Sequence, residues 1–126
     1  MKTLKIGIAG YDLMKARTMA IARGEYKPAR GEPKVWFTSM ESFAKVLSQH
    51  NCELLTLIAR ERPDSITELA KISGRNKSNL SRTLKTMAQY GLVEMKRGRR
   101  GSLAPRAPYD QVRIDVSLNP APEERV

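Results

Sequence analysis

Cysteine, histidine and aromatic residues are scarce in this chain of 126 residues. It has one cysteine, one histidine, and only 6% Phe, Trp and Tyr together. A single cysteine allows no internal disulfide and no cysteine-based metal cluster, and His50 has no ligand cluster at metal-binding spacing. We therefore expect no cofactor and no metal, a packed or surface position for His50, and a buried, inert thiol at Cys52.

Long apolar runs are also missing. No stretch is apolar enough to span a bilayer, and charged residues interrupt the short apolar patch at the amino terminus, which therefore does not read as a signal peptide. The sequence predicts a cytoplasmic protein without a membrane partner.

The chain also lacks the residue sets that enzymes need. It shows no convincing pair of nucleophile and base and no P-loop, and the G-x-x-G of Gly7–Gly10 falls short of a dinucleotide fingerprint. We expect no enzymatic activity.

Acidic residues are outnumbered by basic ones. The chain has 23 Lys and Arg against 13 Asp and Glu, a net charge of +10. Between Arg75 and Arg106 there are nine basic residues and a single acid, Glu94, so most of the excess lies in one window. Such a charge predicts a polyanionic partner, with nucleic acid first and an anionic membrane surface second; a solvated basic surface is the alternative.

The first third of the chain predicts a strand, a helix and a second short strand. Thr3–Ala9 is weakly alternating, Tyr11–Arg23 carries apolar residues at helical spacing, and Val35–Phe37 is apolar. Residues 24–33 contain two Gly and two Pro and predict a loop.

The central third predicts three helices with capping signals. Thr38 to Glu41 has the spacing of a capping box, and the helix after it should bury Phe43, Val46 and Leu47. A second helix is expected over Asn51–Arg60, ended by Pro63. Ser65 to Glu68 is another capping box, opening a short helix that lasts through Ile72.

The turn and helix that follow complete a helix-turn-helix pattern. Gly74 suits a tight turn, Asn76 is a good N-cap, and Leu80, Leu84 and Met87 recur at the spacing of a buried helical stripe. Gly91 should end this helix.

The carboxyl-terminal third predicts a wing. A strand over Leu92–Lys96, a loop over Arg97–Pro108 and an alternating strand over Tyr109–Leu118 give the order strand, basic loop, strand. The expected fold class is thus α+β and mainly helical, a winged helix-turn-helix with an N-terminal strand–helix extension. We expect residues 1–37 to form a dimerisation or partner-binding extension, 38–118 the DNA-binding domain, and 119–126 a disordered tail.

The face of the last helix opposite its apolar stripe is polar and basic. In the major groove, Asn79 can pair with adenine and Arg82 with guanine, while Lys77 and Ser78 are adaptable neighbours. Phosphate contacts, which position the protein without reading sequence, are expected from a wider set. This set comprises Arg75, Ser81, Thr83 and Lys85, and from the wing Lys96, Arg97, Arg99 and Arg100. Alternatively, Asn79 completes the helix cap, and Arg82 and Lys85 belong to a solvated face.

The run ITELAKISGRNKSNLSRTLKTMAQYGLVEMKRGRRG resembles the winged helix-turn-helix of prokaryotic regulators of the MarR and ArsR kind. The upstream segments KARTMAIARGEYKP and GEPKVWFTSMESFAKVLS are similar to a group of small MarR-like DNA-binding proteins that often accompany toxin-like proteins. The resemblance implies that the chain is a repressor. It also implies that the chain is an antitoxin whose partner is a small toxin protein. The chain lacks the long dimerisation helices typical of MarR proteins and the metal ligands of metal-sensing ArsR proteins.

Together these features predict a sequence-specific, double-stranded DNA-binding transcriptional regulator that acts as a homodimer. The segment Thr3–Arg23 is the expected dimer or partner surface. An RNA-binding or ribosome-associated basic protein is the main alternative, although few aromatic residues are available for base stacking. A protein-interaction module with vestigial DNA binding is a third interpretation.

Overall fold

A computed structural model describes residues 2–118 and shows an α+β fold of five α-helices and two small sheets. The predicted disordered tail, 119–126, lies outside the described residues. In chain order the elements are β1 (Thr3–Ile8), α1 (Tyr11–Ala22), β2 (Val35–Phe37), α2 (Met40–Val46), α3 (Gln49–Glu61), α4 (Ile66–Ser73), α5 (Lys77–Gln89), β3 (Glu94–Arg97), β4 (Leu103–Arg106) and β5 (Gln111–Val116).

The chain forms two compact units that interleave along the sequence. Among the described residues, one unit comprises residues 44–111 together with Lys2, and the other comprises Thr3–Phe43 and residues 112–118. The roles predicted for residues 1–37 and 38–118 stay predictions.

The unit of residues 44–111 has a core built from one face of each helix and the start of the hairpin. Its buried apolar residues are Leu54, Ile58, Leu69, Leu80, Leu84, Met87, Leu92, Val93 and Ala104. The stripe predicted for α5 is confirmed, because Leu80, Leu84 and Met87 are all buried. Such burial is the main stabilising contribution available to helices this short.

The predicted helix caps are confirmed in two places and shifted in a third. The Ser65 hydroxyl accepts from the Glu68 amide, and the Asn76 side chain accepts from the amides of Ser78 and Asn79. Before α2, however, the Ser42 amide donates to Ser39 Oγ, so the cap is Ser39 and the prediction of Thr38 was wrong. Either hydroxyl suits the role, and the sequence gives no means of choosing.

The carboxyl-terminal hairpin differs from the predicted wing. β3 pairs antiparallel with β4, with Glu94 opposite Arg106 and Arg97 opposite Leu103. The segment 97–108 therefore is not wholly irregular: it contains β4 and a 3-10 turn over Arg99–Gly101. The predicted second wing strand exists as β5, but it joins the other sheet.

The second unit is built on a three-stranded sheet in the order β2-β1-β5. β1 runs parallel to β2, with Ile6 beside Val35 and Ile8 beside Phe37. Backbone amides of Gln111 and Ser117 donate to the carbonyls of Lys2 and Ile8, so β5 runs parallel to β1 as well. β1 is thus the central strand, and Leu4, Ile6 and Ile8 are buried.

The loop before β2 is held by a cluster around Arg17. Its guanidinium lies 5.1 Å from the centre of the Trp36 ring and 3.3 Å from a carboxylate oxygen of Glu32. Glu32 also accepts from the Tyr26 hydroxyl and from the Ala29 amide. The hydrogen bond from Tyr26 and then that from Arg17 hold the pKa of Glu32 below its ordinary value, despite an opposing contribution from burial.

Two further expectations are affected by the structure. Cys52 is exposed, so the prediction of a buried thiol was wrong. The central position of β1 leaves α1, which has no buried residue, as the accessible part of the expected dimer surface Thr3–Arg23. Within residues 2–118, no helix has the length and apolar character needed to cross a bilayer.

Candidate nucleic-acid interface

Helix α5 presents a polar and basic surface because its sequence divides cleanly by face. Leu80, Leu84 and Met87 are buried, whereas most of the residues between them point to solvent. Exposed on this helix are all four predicted base-reading residues, Lys77, Ser78, Asn79 and Arg82, together with the predicted phosphate contacts Ser81 and Lys85. Thr83 is only half-exposed and flanks the buried stripe.

No acidic side chain neutralises this surface from within the helix. The sequence of α5, KSNLSRTLKTMAQ, has no Asp or Glu. Among the salt bridges of residues 2–118, none involves Lys77, Arg82 or Lys85. Three cations therefore remain available to an external anion, and the positive end of the helix dipole adds to their field at the start of α5.

Asn79 does not cap the helix with its side chain. The cap is the side chain of Asn76, which accepts from the Ser78 amide at 2.8 Å and from the Asn79 amide at 3.3 Å. Asn79 contributes only its backbone N–H to this cap, so its carboxamide group is available to a ligand.

Arg75 has a structural role that the sequence did not indicate. Its guanidinium donates to the carbonyl of His50 at 2.8 Å and to the side-chain oxygen of Asn51 at 3.2 Å. These bonds tie the turn between α4 and α5 to the start of α3, and so fix the direction in which α5 leaves the turn. The predicted phosphate contact of Arg75 stays a prediction and would have to use its remaining donors.

The hairpin carries the rest of the predicted basic set. Lys96 and Arg97 are exposed on β3, and Lys96 lies 3.6 Å from Glu94 across the surface. Arg99, in the turn, has a side chain 88% exposed and 4.0 Å from Asp64. Exposed pairs of this kind contribute about 0–1 kcal/mol, so both cations can exchange their partner for a phosphate. The backbone of Arg100 belongs to the same 3-10 turn.

The hairpin turn is docked on the α3–α4 loop. Ser102 Oγ donates to the carbonyl of Asp64 at 3.2 Å, and Arg106 donates to the carbonyl of Pro63 at 2.7 Å. Gly98 approaches so closely that a Cβ atom there would lie 2.5 Å from the Asp64 carbonyl oxygen. The basic turn is therefore held in place largely by contacts to the backbone of this loop, and Arg97 and Arg99 remain exposed.

Sequence reasoning missed this docking because it joins residues far apart in the chain. Ser102 and Asp64 are separated by 38 positions, and Arg106 and Pro63 by 43. The available sequence signal was the glycine at position 98. A larger residue does not fit there, because the backbone of Asp64 approaches closely.

The HVO_A0114 family profile matches residues 46–114, more than half of the chain. The chain belongs to the HVO_A0114 family. The matched segment includes α3, α4, α5 and the hairpin, and therefore every residue of the candidate interface. No curated protein and no solved structure shows significant similarity to the chain.

Proposed function

We propose that this member of the HVO_A0114 family is a double-stranded DNA-binding transcriptional regulator, with α5 as its recognition helix and the β3–β4 hairpin as its wing. The observation that carries the proposal is the exposed, acid-free face of α5, on which Lys77, Arg82 and Lys85 have no anionic partner among residues 2–118. A single α-helix fits the major groove of B-DNA, where base edges present a distinct pattern of donors and acceptors.

The roles of individual residues follow from their chemistry. The Arg82 guanidinium can donate two hydrogen bonds to guanine, and the Asn79 carboxamide can pair in two-pronged fashion with adenine. Lys77 and Ser78 lie near the start of the helix and adapt to neighbouring bases. Ser81 and Lys85 contact phosphates, as do the exposed cations of the hairpin, Lys96, Arg97 and Arg99, which orient the helix without reading sequence.

Regulation is the natural consequence of such binding. Two copies related by a two-fold axis would read two half-sites about 10 base pairs, or a multiple of that, apart. Occupancy of a promoter by this pair would repress transcription. The resemblance to small MarR-like proteins supports the further proposal that the chain represses its own operon as the antitoxin of a small toxin protein.

Single-stranded RNA is a poorer match to the same surface. Sequence-specific proteins for single-stranded RNA stack unpaired bases on aromatic side chains, and α5 contains no aromatic residue. Preference for a duplex over a single strand of the same sequence separates the two polymers.

Binding measurements on base-reading variants test the proposal. A target site is selected from a random duplex library, and the affinity of wild type is compared with Arg82→Ala and Asn79→Ala on that site and on random duplex. Each variant should lose roughly 1–3 kcal/mol on the selected site and relax the preference at one base position.

Lys15→Ala is the charge-matched control for Arg82→Ala, because Lys15 is an exposed cation on α1, in the other unit. It should leave the preference for the selected site intact. Equal losses on selected and random duplexes would show that Arg82 and Asn79 contact only phosphate. Tighter binding to single-stranded RNA than to any duplex would overturn the proposal.

A further inference from the structure

Strand β5 forms an edge of its sheet and carries exposed apolar side chains. Among residues 2–118, it pairs with β1 on one side and with no strand on the other. Ile114 and Val116 are each 43% exposed, and Leu118, just beyond the strand, is 88% exposed. Natural proteins commonly protect such an edge with proline, lysine or a bulge, because it is a template for pairing with another chain. QVRIDV has neither proline nor lysine.

The direction of the backbone groups along β5 follows from its hydrogen bonds to β1. The amides of Gln111 and Ser117 donate to the Lys2 and Ile8 carbonyls at 3.3 Å and 2.8 Å. Because the N–H and C=O groups of successive residues alternate in direction along a strand, the odd-numbered residues of β5 direct these backbone groups toward β1. Val112, Ile114 and Val116 therefore point their N–H and C=O groups toward the open edge.

We propose that this edge pairs with the β5 of a second copy of the chain, antiparallel and centred on Ile114. In this register Ile114 lies opposite Ile114 of the second copy, and Val112 lies opposite Val116. These are the residues whose backbone groups face outward, so the two chains can exchange hydrogen bonds at all three positions. The result is a continuous six-stranded sheet across a two-fold axis.

Charge complementarity selects this register over its neighbours. Centred on Ile114, the pair places Arg113 of each copy opposite Asp115 of the other. A shift that centres the pair on Arg113 would place two arginines face to face, and one centred on Asp115 would do the same with two carboxylates. Opposite charges directly across an antiparallel pair stabilise it, and like charges destabilise it.

This inference deepens the proposed function and rests on it in one respect, because a two-fold pair would supply the two recognition helices of a dimeric regulator. Its test, however, needs no DNA. A failure of β5 pairing would leave the base preference of α5 on a single half-site unaffected, and a failure of DNA binding would leave the mass in solution unaffected.

Charge reversals measured by sedimentation of the full chain provide the test. Arg113→Asp and Asp115→Arg should each raise the dissociation constant of the dimer about tenfold or more, because each turns two attractive cross-strand pairs into repulsive ones. In a dimer of one copy of each variant, both acidic positions of the Arg113→Asp chain lie opposite arginines of the Asp115→Arg chain, so mixing the two variants should regain an affinity close to that of wild type. The double reversal in one chain restores opposite charges at both positions and should regain that affinity, which also controls for folding.

A backbone variant tests the hydrogen bonds independently of charge. Ile114→Pro removes an N–H that faces away from β1, a position at which an edge strand tolerates proline, so the sheet of the single chain should persist. The variant should sediment as a monomer with an unchanged circular dichroism spectrum. A wild-type chain that is monomeric throughout, or a dimer that neither reversal weakens and that Ile114→Pro leaves intact, would overturn the proposal.

Discussion

Gly7 shows how one position can be constrained by a single neighbour. It lies within β1, and a Cβ atom there would lie 2.4 Å from two carbons of the Trp36 ring. The ring cannot easily yield, because its N–H donates to the Pro33 carbonyl at 3.1 Å and Arg17 lies over its face. Close packing of this kind leaves no room for a methyl group.

Gly7→Ala should therefore lower the free energy of unfolding by roughly 1–3 kcal/mol, the usual cost of overpacking. Urea denaturation measures the change. Gly10→Ala is the matched control, because a Cβ atom at Gly10 meets nothing within 4 Å. Gly10 is the N-cap of α1, where alanine is less favourable than glycine, but alanine also lowers the entropy of the unfolded chain, so the net effect should be a few tenths of a kcal/mol. Equal effects at both glycines would contradict the role assigned to Trp36.

The contribution of Glu32, in the loop before β2, to the stability of the fold depends on pH. Its hydrogen bonds from Tyr26 and Arg17 favour the carboxylate and lower its pKa from the ordinary value of 4.5. A lowered pKa in the folded state means that the contribution of Glu32 to stability is present above pH 4.5. It is lost as the pH falls through the lower, folded-state pKa.

The difference in unfolding free energy between wild type and Glu32→Gln should accordingly shrink as the pH is lowered from neutrality to below 4.5. Thermal unfolding at a series of pH values measures it. Glu53→Gln, at an exposed carboxylate on α3, is the control and should show no comparable change. A difference in unfolding free energy that stays constant across this range would show that the charge of Glu32 does not contribute to stability.

At the scale of elements, the hairpin is held in place by one set of residues and exposes its positive charge on another. The bonds of Ser102 and Arg106 to the 63–64 loop hold the turn, whereas Arg97 and Arg99 extend into solvent. Removing the exposed arginines should thus weaken DNA binding without displacing the turn.

The triple variant Arg97→Ala, Arg99→Ala, Arg100→Ala should keep its fold and bind all duplexes more weakly. The slope of the logarithm of affinity against the logarithm of salt concentration should become shallower by about one unit for each phosphate that the hairpin no longer neutralises. If the variant retained the wild-type slope, the arginines of the hairpin would not contact DNA phosphates.

The helices could be predicted from the sequence because their signals are local. Ser65 and Asn76 lie within three residues of the amides they cap, and the apolar stripe of α5 is read along a single helix. The exposure of Lys77, Asn79 and Arg82 follows directly from that stripe. A pattern within one helix could therefore identify most of the candidate interface.

The strands were predicted less well because their partners are distant. β4 was missed since LAPR contains Pro105 and lies among glycines and arginines, yet Pro105 is buried opposite Met95 at the edge of a two-stranded sheet. β5 was recognised by its alternation but assigned to the hairpin, and nothing in QVRIDV indicates that its neighbour is β1. The docking of Arg106 and the role of Arg75 were beyond reach for the same reason.

At the scale of the whole molecule, the interleaving of the two units imposes an order on folding. The central strand of the three-stranded sheet comes from the start of the chain, and one of its neighbours, β5, comes from beyond most of the 44–111 unit. Contacts at the start of this pairing join residues 108 positions apart, as between Lys2 and Asp110. Contacts so distant in sequence form late, after shorter loops have closed.

During synthesis, β1, α1 and β2 leave the ribosome well before β5 does. Until the intervening segment has been made, one edge of β1 has no partner, and the apolar side chains of this strand lack part of their cover. An unpaired apolar strand is prone to associate with other unfinished chains. We therefore expect the yield of native protein to fall when translation of residues 44–111 is slow compared with association of unfinished chains through the open edge of β1.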